Sequence, residues 1–102
     1  MQVITHSKVL SFIDKLDSRT YASVLRTLSL LEVQGHELGM PFAKPIGKGL
    51  FELRVHNAAA VRFLYGFNNE AACIVVAFKK ERSAMRPQDI KLAQQRLAEY
   101  CA

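Results

Sequence analysis

Apolar residues recur along this chain with two periods, and the change from one to the other divides it. Val9, Phe12, Ile13 and Leu16 fall at i, i+3, i+4 and i+7, one face of a helix, with Ser7 placed to cap it. Asp17 or Ser18 is placed to cap a second helix. Its stripe is Tyr21, Val24, Leu25, Leu28 and Leu31, and Gly35 is placed to stop it. The short break between the two predicts an antiparallel helical hairpin. Ahead of it, "QVIT" (2–5) reads as a short first strand.

From residue 50 the period falls to two. In "LFELRVH" (50–56), Phe51, Leu53 and Val55 share one face, and Glu52, Arg54 and His56 the other. "AVRFLYGF" (60–67) sets Val61, Phe63, Tyr65 and Phe67 against Arg62 and Leu64. "NAA" (57–59) and "NNEA" (68–71) read as turns. "ACIVVAF" (72–78) is apolar on both faces, as in a central or covered strand. Pro87 then suits the first turn of a last helix with the stripe Ile90, Ala93, Leu97 and Tyr100. Between helices and strands lies "GHELGMPFAKPIGKG" (35–49), with four of the five glycines and two of the three prolines. It reads as an irregular loop, and loops of that length in small domains are often functional. The predicted fold is α+β: an N-terminal helical hairpin, an antiparallel sheet of three to four strands and a C-terminal helix, in a single domain over residues 1–102.

Composition narrows the classes. Half of the 102 residues are hydrophobic, which argues against disorder. No apolar run approaches the ~20 residues needed to span a bilayer. "MQVITHSKV" lacks the basic-then-apolar order of a secretory signal. The expectation is a cytoplasmic protein without a membrane partner. Cys73 and Cys101 make neither a metal spacing nor a CxxC, and are expected to be reduced. A net charge of +5 permits a nucleic-acid or acidic protein partner.

Register brings the cations together. The apolar faces of the first hairpin must coincide, and a three-residue turn then sets Arg54 opposite Arg62. In the second hairpin a four-residue turn pairs Phe67 with Ala72, Val61 with Phe78 and Arg62 with Ala77. Lys79 then falls on the face of Arg62, one diagonal step away, with Lys80 and Arg82 just beyond. Like charges directly opposite cost a hairpin roughly 0.2–1 kcal/mol. A cluster of Arg54, Arg62 and Lys79 therefore holds an anion, is neutralised locally by Glu52 and Glu81, or is an ordinary solvated face. His6, His36 and His56 have no ligand spacing, so no metal site is expected. "GKG" (47–49) fits neither a P-loop nor a dinucleotide fingerprint. Any chemistry falls to the cations.

The strands "GKGLFELRV" and "VRFLYGF", the segment "IVVAFKKER" and the helix pattern P-x-D-I…A…R…E-Y together resemble the phage Gp49-like and HigB branch of the RelE superfamily, over about residues 20–100. These are toxins of type II toxin–antitoxin modules. The resemblance implies an endoribonuclease that enters the ribosomal A site and cuts translated mRNA. It needs no metal or cofactor: a ribose 2′-OH attacks the adjacent phosphate. The implied partners are a helix-turn-helix antitoxin, the ribosome and mRNA. By position, Arg62 matches the catalytic arginine of the middle strand. Lys80 falls where relatives carry a second basic residue, whereas strand parity favours Lys79, and both stand as catalytic candidates. Lys44, Lys48, Arg54, Arg82 and Arg86 form the expected RNA-binding surface. His56 is either a proton-transfer group or a surface histidine. Several relatives place a tyrosine shortly after this segment. Here "ERSAMR" offers Met85 or Arg86, which leaves the general base and acid unassigned. The alternatives are a non-enzymatic ParE-like gyrase inhibitor and a degenerate phage-derived protein that only binds RNA or its antitoxin.

Overall fold

The computed structural model describes residues 1–55, 60–80 and 85–100. In chain order the elements are β1 (Gln2–Thr5), α1 (Ser7–Asp14), α2 (Ser18–Gln34), β2 (Ala43–Gly47), β3 (Leu50–Arg54), β4 (Val61–Asn68), β5 (Ala71–Lys79) and α3 (Pro87–Tyr100). The strands form one sheet in the order β1-β5-β4-β3-β2. Neighbours are antiparallel except β1, which runs parallel to β5. The sheet is thus five-stranded and mixed, larger than the expected three to four antiparallel strands. The additional strand, β2, comes out of the stretch expected to be loop. Pro45 hid it, because a proline cannot donate to a ladder and is tolerated only at an edge such as this one.

The helical hairpin forms with two adjustments. His6, not Ser7, caps α1: its Nδ1 accepts from the Lys8 N–H at 3.0 Å. Asp17 caps α2 by accepting from the Thr20 N–H at 3.2 Å, and Gly35 ends α2 at φ 53°. The buried face of α2 is also rotated from the expected stripe. Val24 and Leu31 are buried, but Tyr21 and Leu25 are exposed, and Ser23 and Thr27 lie inward. Both hydroxyls donate to carbonyls one turn back, Ser23 to Arg19 and Thr27 to Ser23, so their burial leaves no orphaned donor.

The sheet has a core on each face. Against α1 and α2 lie Leu53, Val55, Val61, Phe63, Tyr65, Ala72 and Ile74, with Val9, Ile13, Val24 and Leu31. The other face packs Leu50, Leu64, Cys73, Val75 and Val76 against Ala93 of α3, joined by Phe78, Met85, Ile90 and Leu97. Each fully buried large side chain contributes about 1.5–3 kcal/mol of burial. Cys73 is in that core but is disulfide-bonded, against the expectation of reduced cysteines; Cys101 lies outside the described residues.

One irregularity governs the site. β4 and β5 pair in the expected register from Asn68↔Ala71 through Phe67↔Ala72 to Tyr65↔Ile74, but the next pair is Leu64↔Val76. Val75 is an extra residue, a β-bulge. Beyond it every partner shifts by one, giving Arg62↔Phe78 and Val61↔Lys79 rather than Arg62↔Ala77 and Val61↔Phe78.

Candidate anion-binding site

Strand alternation turns Leu50, Glu52 and Arg54 of β3 toward the α3 face, because Leu53 and Val55 are claimed by the opposite core. Arg54 stands directly across from Arg62. Two like charges so placed need a counter-charge, and Glu52 provides it. Its side chain is only 2% exposed, and Oε1 accepts from the Arg54 Nε at 3.0 Å. The Arg62 Nε lies 4.0 Å from the same oxygen, and the Lys80 Nζ is 3.7 Å from Oε2. Arg62 also donates through Nη1 to the Val61 carbonyl at 3.0 Å, which holds its head near the strand.

The bulge decides which lysine takes part. Lys79 is the cross-strand partner of Val61, so it lies on the face of the α1–α2 core and is exposed at the strand end. The expectation that parity would place it beside Arg62 is therefore corrected. The ladder continues one step past β5, where the Lys80 N–H donates to the Ala60 carbonyl at 2.7 Å, and Lys80 is the lysine that reaches Glu52.

The remaining predicted site residues are placed less uniformly. Lys44 is the cross-strand partner of Glu52 on β2 and is exposed. Lys48 sits in the β2–β3 turn at φ 56°, between Gly47 and Gly49, toward the other end of β3 from Arg54. Arg86 precedes α3 and pairs with Asp89 at 3.2 Å. His56, Glu81 and Arg82 lie outside the described residues. Met85 is half-buried in the core beneath α3. Tyr65 is buried in an aromatic cluster with Phe51 and Phe67, and burial pushes its phenol up to about 12. It lies in the core of the α1–α2 face, on the opposite side of the sheet from the cations. One residue that the sequence marked only as the R of the C-terminal helix pattern belongs to this picture. Arg96 of α3 donates through Nη1 to the Val75 carbonyl at 2.9 Å, at the bulge itself. Only the competing claims of Lys79 and Lys80 pointed to an irregular strand there.

Three cations against one buried carboxylate leave a positive patch with accessible edges: Arg54 is 31% exposed, and Arg62 and Lys80 18% each. A forked guanidinium grips a phosphate or carboxylate through two donors, and an ammonium adds a compact charge. Among the described residues, no three of His, Cys, Asp and Glu are grouped so as to hold a metal ion. No described helix is long and apolar enough to cross a membrane.

The fold is that of a known class. The crystal structure of the isolated E. coli RelE toxin superimposes with a TM-score of 0.64, at 16% identity, over 88% of this chain and 95% of that one. That likeness defines a RelE-like α+β fold. The family Phage derived protein Gp49-like (DUF891) matches residues 11–98, and the chain belongs to it. No curated protein matches the chain.

Proposed function

We propose that this protein is the toxin of a type II toxin–antitoxin pair, and that it cleaves mRNA on the ribosome at the Arg54–Arg62–Lys80 cluster. The observation that carries the reading is the convergence of three cations on one face of a RelE-like sheet, preorganised around a buried carboxylate. In the reaction the ribose 2′-oxygen attacks the adjacent phosphorus and the bond from phosphorus to the 5′-oxygen breaks. A 2′,3′-cyclic phosphate and a 5′-hydroxyl result. The 2′-OH gives up a proton and the leaving oxygen gains one, while negative charge builds on the phosphoryl oxygens. Arg62 and Arg54 meet that charge with donors already in place, which is where electrostatic catalysis gains most. The Lys80 ammonium adds charge and holds a proton within the cluster. A helix-turn-helix antitoxin, as the family resemblance implies, would neutralise the toxin by covering the cations or by making the complex too bulky for the ribosomal A site.

A second reading is RNA binding without cleavage. It is favoured by Met85 and Arg86, which stand where relatives offer a tyrosine, and by Tyr65, which is buried in the core on the opposite face from the cations. Expressing the wild type and Arg62→Ala from an inducible promoter separates the two. The nuclease reading expects growth arrest and new mRNA 5′ ends with the wild type, and neither with Arg62→Ala. Arrest without new ends favours the binding reading. Equal toxicity with the same ends in both strains contradicts the role given to Arg62.

A further inference from the structure

We propose that Arg96 is a positioning residue that selects Lys80, and not Lys79, for the cation cluster by holding the bulge at Val75. The proposal rests on reading the cluster as a phosphate site. A bulged residue leaves the regular ladder, and its backbone groups need partners from elsewhere. The Val75 carbonyl receives one from the Arg96 Nη1 at 2.9 Å, across 21 residues of chain. Arg96 is itself carried by α3, which packs on this face through Ala93, Ile90 and Leu97. The helix thereby fixes the phase of the strand beneath it.

That phase has a direct consequence. With Val75 bulged, Phe78 is the partner of Arg62 and packs into the α3 core, Lys79 falls on the far face, and Lys80 reaches Glu52 at 3.7 Å. In an unbulged strand Ala77 would face Arg62. Phe78 would turn to the opposite face, and Lys79 would stand beside the arginines. A one-residue slip exchanges the faces of everything beyond it. Arg96 is thus remote in sequence from the cluster, yet it determines which ammonium completes it.

The test uses Arg96→Met, Lys80→Ala and the double variant of the full chain, with inorganic phosphate as the probe. Backbone nuclear Overhauser contacts read the register: Arg62 against Phe78 when bulged, Arg62 against Ala77 when not. Phosphate affinity is read by chemical-shift titration. The expected result for Arg96→Met is loss of the Arg62–Phe78 contacts. Lys80→Ala should lower phosphate affinity about tenfold in the wild type, the worth of one charge-assisted contact, and have little effect in Arg96→Met, where Lys79 takes its place beside the arginines. The double variant should therefore bind more tightly than Lys80→Ala alone and about as well as Arg96→Met, a non-additivity expected of residues that act through one position. Arg96→Lys retains a donor and should keep the bulged register. If Arg96→Met fails to fold, Arg96→Gln, whose shorter side chain withdraws the donor from the Val75 carbonyl, carries the same test. A preserved register in Arg96→Met, or a Lys80→Ala loss as large in Arg96→Met as in the wild type, would overturn the proposal. A chain that shows this coupling but cuts no mRNA would refute the nuclease reading and leave the role of Arg96 standing.

Discussion

Replacing Glu52 by Gln keeps the shape of the side chain and removes the charge on which the cluster is built. Its carboxylate faces cations at 3.0, 4.0 and 3.7 Å. At an effective dielectric of about 20 these contacts sum to roughly 14 kcal/mol of gross attraction. Most of that is offset by desolvating the carboxylate and by repulsion among the cations. Removing one partner of a buried ion pair costs about 3–5 kcal/mol. Here the cations keep access to solvent, which lowers the expected loss to about 2–4 kcal/mol. For a domain of this length that is a fall in Tm of about 10–30 °C. Urea unfolding in low salt, with and without added sulfate, is the assay. Sulfate should restore part of the lost stability in Glu52→Gln and do much less for the wild type, because the anion takes the place of the missing carboxylate. A loss below about 0.5 kcal/mol, the range of ordinary surface substitutions, with no response to sulfate would refute the view that Glu52 holds the cations together.

Two further outcomes follow from the packing. Tyr65 has its pKa raised by burial from 10.0 to about 12, so folding favours the neutral phenol. Its contribution is intact below pH 10 and lost as pH rises from about 10 to 12. Alkaline titration followed by tyrosinate absorbance should therefore show a late-ionising component in the folded chain, which Tyr65→Phe removes. Gly66→Ala would bring a Cβ within 2.6 Å of the Leu97 Cδ2 and 3.0 Å of the Gly49 carbonyl oxygen. The leucine tip can turn aside but the carbonyl cannot, so the variant should lose about 1–3 kcal/mol in urea unfolding. A variant as stable as the wild type would show that α3 does not pack as tightly on β4 as described.

The sheet face carrying the cations was legible because alternation in β3 and β4 is strict, and a shared apolar face forces Arg54 and Arg62 to the other one. Glu52 fell on that face by the same parity, so its role as the neutralising group was also within reach. Lys80 was not, because parity counts residues and a bulge adds one. No pattern in "ACIVVAF", apolar on both sides, marks Val75 as the extra residue. The motif resemblance favoured Lys80 for that reason: it matches aligned positions and does not depend on how the strand is phased. β2 was hidden by its proline and by the glycines of its turn, which are compatible with an edge strand but do not identify one. The rotation of α2 was unreadable for a different reason. Ser23 and Thr27 can bury only because their hydroxyls bond back within the helix, and a hydrophobic stripe gives no sign of that.

The central claim is that the Arg54–Arg62–Lys80 cluster cuts mRNA by attack of the 2′-OH. Its most direct test is the chemistry of the ends. Purified protein is added to ribosomes translating a defined mRNA, and the 3′ and 5′ termini of the fragments are identified. The account predicts 2′,3′-cyclic phosphates and 5′-hydroxyls with the wild type, and intact message with Arg62→Ala. Fragments ending in 3′-hydroxyls and 5′-phosphates, or a message left whole by the wild type, would contradict it.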